Sequence, residues 1–86
     1  MPTISLFYAI EITMNYNEHS PPHFHAAYQG QQAQVNIGTL EIIEGRLPPR
    51  ALALVLEWAA LHRAELRQAW ELASLNRPPA RIQPLE

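Results

Sequence analysis

Three of the four histidines lie within seven consecutive positions, in the run Glu18-His19-Ser20-Pro21-Pro22-His23-Phe24-His25. On an extended backbone His23 and His25 project to one face, a pleat apart, and Phe24 projects to the other. Such a pair can present two imidazole nitrogens to one divalent, zinc-like metal ion, with His19 or Glu18 from the proline-bounded loop as a third ligand. The same two imidazoles also suit a general acid and base, because histidine titrates near neutral pH. Metal-independent RNA cleavage is the reaction that this reading implies, which would make the chain a small ribonuclease. His62, the remaining imidazole, is a further acid–base candidate and is expected to point inward, on the side of Leu66 and Ala69. A third alternative is purely structural, with the histidines capping the loop and stacking on aromatic neighbours. Residue types and spacing leave all three open.

Arg46 and Arg50 flank Pro48-Pro49 at a helix start, where the positive helix end favours anions, so they are candidate phosphate-binding residues. The alternative is pairing with Glu44, Glu57 or the terminal carboxylate. Arg63 and Arg67 fall one turn apart, and Glu71 follows Arg67 by four residues, which reads as a solvated, ion-paired helix face. Trp58 and Trp70 fall on apolar faces and are expected in the core. Tyr8 and Tyr16 either frame a pocket near the histidines or simply pack.

The alphabet around these residues is restricted. The 86 residues include no Cys, no Lys and no Asp, so all six basic residues are Arg and all eight acidic ones are Glu. Without cysteine there is no disulfide framework, no thiolate zinc site and no thiol nucleophile. Without aspartate the commonest ligand of calcium, magnesium and two-metal sites is missing. Any chemistry falls to imidazole, Glu, guanidinium and hydroxyls. The formal charge of −2 is unevenly spread. Residues 1–45 hold four Glu and no Arg, whereas residues 46–86 hold all six Arg and four Glu. A balance this close to neutral argues against a strongly electrostatic nucleic-acid binder. No apolar run reaches the ~18 residues of a membrane span, and the N-terminal segment lacks the pattern of a signal peptide. A soluble cytoplasmic protein is the expectation.

Hydrophobic residues make up 48% of the chain and charged residues 16%, the balance of a globular fold. At this length a single domain over residues 1–86 is expected, stabilised by core burial and helped by homo-oligomerisation. Residues 3–14 alternate, with Ile4, Leu6, Tyr8, Ile10, Ile12 and Met14 on one face, which predicts one long half-buried strand. Asn15–Pro22 reads as a loop and His23–Gln29 as a second strand, with Phe24, Ala26 and Tyr28 facing the core and both histidines on the other side. After a Gln29-Gly30 turn, Ala33, Val35 and Ile37 mark a third strand. Gly38-Thr39 then turns the chain into a fourth over Leu40–Glu44. Short connections imply antiparallel pairing. From Arg50 to Asn76 the chain has no Gly or Pro and is rich in helix formers. One continuous helix would overhang so small a domain, so a break near Leu61–Arg63 is expected. The fold predicted is α+β: a four-stranded antiparallel meander sheet over about 3–45, then two helices over about 49–76 packed on one face, and an extended tail over 77–86.

The residues so far singled out resemble the domain-of-unknown-function 4160 family of small prokaryotic proteins. The similarity is carried by Met1-Pro2-Thr3-Ile4-Ser5 with Phe7-Tyr8, by Asn17-Glu18-His19, and by the specific run Pro21-Pro22-His23-Phe24-His25-Ala26. It continues through Tyr28-Gln29-Gly30, Glu44-Gly45-Arg46-Leu47-Pro48 with Arg50-Ala51-Leu52, and Glu57-Trp58-Ala59 with Leu61-His62, Glu65-Leu66 and Trp70, and so spans essentially the whole chain. The resemblance implies a component of a toxin–antitoxin-like two-gene module. Its partner would be a protein encoded nearby, and RNA is the candidate target. It supplies no catalytic residues of its own, and the absence of Lys and Asp sets this chain apart from what is expected of relatives.

Overall fold

The structure is a computed structural model, and it describes residues 2–86; Met1, which opens the expected domain and the N-terminal motif, lies outside the described residues. The fold is α+β, a five-stranded antiparallel sheet followed by two helices. Strands β1 (Thr3–Phe7), β2 (Ile10–Thr13), β3 (His23–Tyr28), β4 (Gln31–Asn36) and β5 (Ile42–Gly45) lie in the order of the chain.

The fifth strand arises where the sequence predicts one long strand. The chain reverses at Tyr8-Ala9, both with positive φ (51° and 63°), and Phe7 pairs with Ile10. Twelve extended residues would reach roughly 40 Å at about 3.3 Å each, beyond the 33 Å longest extent of the molecule. Tyr-Ala lacks the Asn-Gly chemistry that announces such a turn, so alternation runs through the reversal without a visible break. A register shift between Thr3 and Ser5 then turns the expected face over. Ile4 and Phe7 are buried, while Leu6 and Tyr8 are exposed.

The other turns follow their residues. Gln29 and Gly30 adopt positive φ (48° and 81°) and join β3 to β4. Between β4 and β5, the Asn36 side chain accepts the backbone N–H groups of Gly38 (2.7 Å) and Thr39 (3.0 Å). Helix α1 (Pro49–Leu61) begins on Pro48-Pro49, whose fixed φ suits a first turn. Helix α2 (Arg63–Ser74) follows after a break at His62 (φ −123°, ψ 28°), inside the stretch expected to bend.

One face of the sheet is apolar and one polar. Phe7, Ile10, Ile12, Phe24, Ala26 and Val35 meet Val55 and Trp58 of α1 and Leu66 and Ala69 of α2 in a single buried cluster. The opposite register carries Glu11, Thr13, His25, Gln32, Gln34 and Glu44. The tail closes the β1 edge: Ile82 N–H donates to Ile4 O (2.7 Å) and the Ser5 hydroxyl to Ile82 O (3.0 Å). No helix among the described residues is long and apolar enough to cross a membrane.

Gly45 at the end of β5 has φ 77°, and a Cβ there would collide with the Gln32 carbonyl oxygen; Gly30, at φ 81°, has open space around it. Gly30→Ala therefore incurs only backbone strain, of about 1 kcal/mol. Gly45→Ala adds a backbone collision and should lower stability by more than about 2 kcal/mol. Urea unfolding midpoints of the two variants check this, and equal losses would contradict the close approach of β5 to β4.

Candidate metal centre

The loop Met14–Pro22 must return the chain from β2 to β3, and three contacts fix its path. Asn17 N–H donates to Ala73 O (3.2 Å) at the end of α2, and the Asn17 side-chain amide donates to Asn76 Oδ1 (3.2 Å). At its other end Pro22 O accepts from Ile37 N–H (3.0 Å). The loop so held carries Glu18 back over the start of β3.

There Glu18, His23 and His25 converge. Each offers a ligand atom, and the three atoms lie within 4.8 Å of one another. Glu18 Oε2 is 2.8 Å from His23 Nε2 and 3.7 Å from His25 Nε2. Tetrahedral zinc, with bonds of about 2.0–2.1 Å, sets neighbouring ligand atoms about 3.3 Å apart, so these separations bracket the requirement. The two imidazole centroids are 5.2 Å apart, edge to face.

Hydrogen bonds decide which nitrogens are free. His23 Nδ1 lies 2.8 Å from Pro21 O. A carbonyl only accepts, so Nδ1 carries a proton and Nε2 is turned toward Glu18. Outer partners of this kind orient metal-binding histidines. Bare lone pairs on Nε2 and Oε2 cannot face one another at 2.8 Å; a proton or a cation must lie between them. The Asn15 amide, 3.4 Å from His25 Nε2, is a donor, which leaves that nitrogen as an acceptor. It also reaches Glu18 Oε1 at 3.5 Å.

Burial shapes the electrostatics. His23 was expected on an uncovered face, yet it is only 5% exposed, because the Trp70 ring of α2 lies over it at 5.2 Å. For Glu18, burial raises the carboxyl, but hydrogen bonds from His23 and Asn15 and the potential of both imidazoles outweigh it, and the group titrates below its ordinary 4.5. Burial, followed by the repulsion of His23, pulls His25 below its ordinary 6.5 against the opposing attraction of Glu18 and Glu44. On its outer side His25 borders a cleft shared with Gln32, Gln34 and Glu44.

The remaining candidates lie elsewhere. His19 is exposed and stands outside the three-residue group. His62 sits at the helix junction, with Nδ1 2.6 Å from Glu65 Oε1 and its ring 5.7 Å from Trp58, apart from the other imidazoles. Arg46 donates its backbone N–H to Gln32 O, level with Ala27. That is four residues along the sheet from His23, roughly 13 Å at about 3.3 Å per residue. Arg50 lines a different cleft, with Tyr8 and Tyr28. The expected Arg67–Glu71 ion pair does not form, and no arginine lies within 4.0 Å of a carboxylate among the described residues. Long side chains in water gain little from such pairing. Two contributors to the centre, the Pro21 carbonyl and the Trp70 cover, have no signature in residue spacing.

Both resolved shifts have one consequence for stability. A folded-state pKa below the unfolded value means the unfolded chain binds more protons, so stability rises with pH. The contribution of His25 is present above about pH 6.5 and is lost as the pH falls through its folded value; that of Glu18 is lost below about pH 4.5. In excess chelator the melting temperature should fall as the pH is lowered from about 7, and His25→Gln should flatten the first part of that fall. An unchanged profile in the variant would contradict the environment described for His25.

No curated protein and no solved structure matches the chain. A family model described as Domain of unknown function (DUF4160) matches residues 9–71, from the first hairpin turn through most of α2. The match covers well over half of the chain and includes Glu18, His23, His25 and Trp70, and the protein therefore belongs to the DUF4160 family.

Proposed function

We propose that the chain binds one divalent, zinc-like metal ion through Glu18 Oε2, His23 Nε2 and His25 Nε2. The observation that carries this reading is the His23 Nδ1–H···O=C bond to Pro21, which aims Nε2 at the Glu18 carboxylate 2.8 Å away. Three protein ligands leave a coordination position for water or a small ligand, the pattern of reactive rather than purely structural zinc sites. The cleft beside His25 is the side from which that position is approached. The alternative of His23 and His25 as a metal-free acid and base has less support. His23 is sealed under Trp70 and held at both nitrogens, so it lacks the access that a proton shuttle needs. A phosphate-bearing substrate would also meet Glu11 and Glu44 on that face, with Arg46 and Arg50 at a distance.

Purified protein loaded with zinc should hold one equivalent and melt at higher temperature. The gain is about 2.7 kcal/mol when free metal is 100-fold above the dissociation constant. Binding should release about one proton, displaced from between His23 and Glu18. His23→Ala, His25→Ala and Glu18→Gln should each weaken binding beyond the 10–100-fold that loss of an outer partner costs. Absence of bound metal together with an unshifted melting temperature would sink the reading.

A second reading is partnership with another protein in a toxin–antitoxin-like two-gene module. It is favoured by β5, an edge strand paired only with β4 among the described residues, where Ile42 and Ile43 are exposed. Such an edge is a template for a further strand. Co-expression with the product of the neighbouring gene should yield a complex that Ile43→Lys weakens, and independent elution of the two proteins would count against partnership.

A further inference from the structure

A second cleft opens between the β1–β2 turn, the end of β3 and the start of α1. Tyr8, Tyr28, Pro48 and Leu54 line it together with the buried Ile10 and the exposed Arg50. Among the described residues no acidic side chain lines it, and α1 has no acidic residue in its first turn. The Arg50 guanidinium has no carboxylate within 4.0 Å among the described residues. Tyr8 and Tyr28 do not stack on one another, and neither hydroxyl has a hydrogen-bond partner among the described residues. Tyr8 is 57% exposed.

We propose that this cleft binds a small aromatic anion of the nucleoside-monophosphate class, its ring against Tyr8 and Tyr28 and its phosphate on Arg50. Flat π-faces that leave each other free accept a third ring, and a lone guanidinium in an otherwise apolar cleft selects one anionic group. The turn supports this assignment. Tyr8 occupies a position with φ 51°, where Asn or Gly would be less strained. At that position the ring stays 57% exposed and lines the cleft, where it is open to a ligand. A nucleic-acid strand fits less well, since a polymer needs cations spaced along its backbone and Arg50 is the one cation lining the cleft among the described residues. The site shares no residue with Glu18, His23 and His25, so it stands or falls independently of the metal reading.

Saturation-transfer and amide-shift NMR in excess chelator tests it, with AMP, adenosine and inorganic phosphate as separate probes. AMP should bind saturably and shift the amides of Tyr8, Ala51 and Leu54, with adenosine and phosphate each at least about tenfold weaker. Arg50→Gln should bring AMP down to the level of adenosine. Tyr8→Asn should weaken AMP by about fivefold or more while the melting temperature stays the same or rises, because Asn suits the turn. AMP that fails to saturate at about 10 mM, or phosphate that binds as well as AMP, overturns the proposal. So does a 5′-phosphorylated oligonucleotide that binds more than about tenfold tighter than AMP, which would assign the cleft to nucleic acid.

Discussion

Trp58 is the side chain on which the rest of the molecule leans. It is fully buried, with its ring 5.3 Å from Phe7 of β1, 5.7 Å from Phe24 of β3 and 5.7 Å from His62 at the helix junction. Its indole N–H donates to Gln83 O at 2.8 Å, so the tail is held by the same residue. Sheet, helix junction and tail therefore meet at one ring. With no cysteine and no arginine ion pair among the described residues, burial has few helpers here. Emptying such a site costs about 3–5 kcal/mol, against a net stability that for small domains is about 5–15 kcal/mol.

The second tryptophan plays a different part. Trp70 is only half-buried, and it covers His23 rather than entering the apolar centre. That contact links three pieces distant in sequence: α2, the start of β3 and the loop that carries Glu18. Asn17 fastens the same loop to the end of α2 at Ala73 and Asn76. A polar cluster is tolerated there because its atoms are paired, Nδ1 with Pro21 O and Nε2 with Glu18. The location at the rim leaves His25 facing the open sheet, while His23 is removed from water. One cluster thus combines a sealed imidazole with one that borders a cleft.

Much of the architecture was legible because local signals agreed with the tertiary outcome. Pro48-Pro49, the Gly- and Pro-free run to Asn76 and the change of face near His62 mark two helices. Gln29-Gly30 marks a turn, and Phe24, Ala26 and Val35 mark the core register. The first hairpin was not legible. Its reversal sits on Tyr8-Ala9, and apolar alternation has the same period before and after a two-residue turn, so only pairing of Phe7 with Ile10 reveals it. The bulge near Ile4 was hidden for a similar reason, since one extra residue exchanges the two faces. In the candidate metal centre, His23, His25 and Glu18 stood out by type and spacing. His19 did too, but the loop turns it to solvent.

Sequence alone determined the chemical alphabet and the place to look. With no Cys, Lys or Asp, site chemistry rests on imidazole, Glu and guanidinium, and the density of histidine around Pro21-Pro22 points to one segment. Tertiary structure decided which of those groups act together. Glu18 rather than His19 joins the imidazoles because Asn17 and Pro22 are pinned to α2 and to Ile37, which sets the direction of every side chain between them. His23 is sealed because Trp70 arrives from a helix far along the chain. Arg46 and Arg50 part company because Arg46 follows β5 at one edge of the sheet and Arg50 lies in the first turn of a helix beside Tyr8. Spacing along a chain governs which face a residue takes within its own element. The neighbours it meets there are set by how the elements pack, and that depends on burial summed over the whole core.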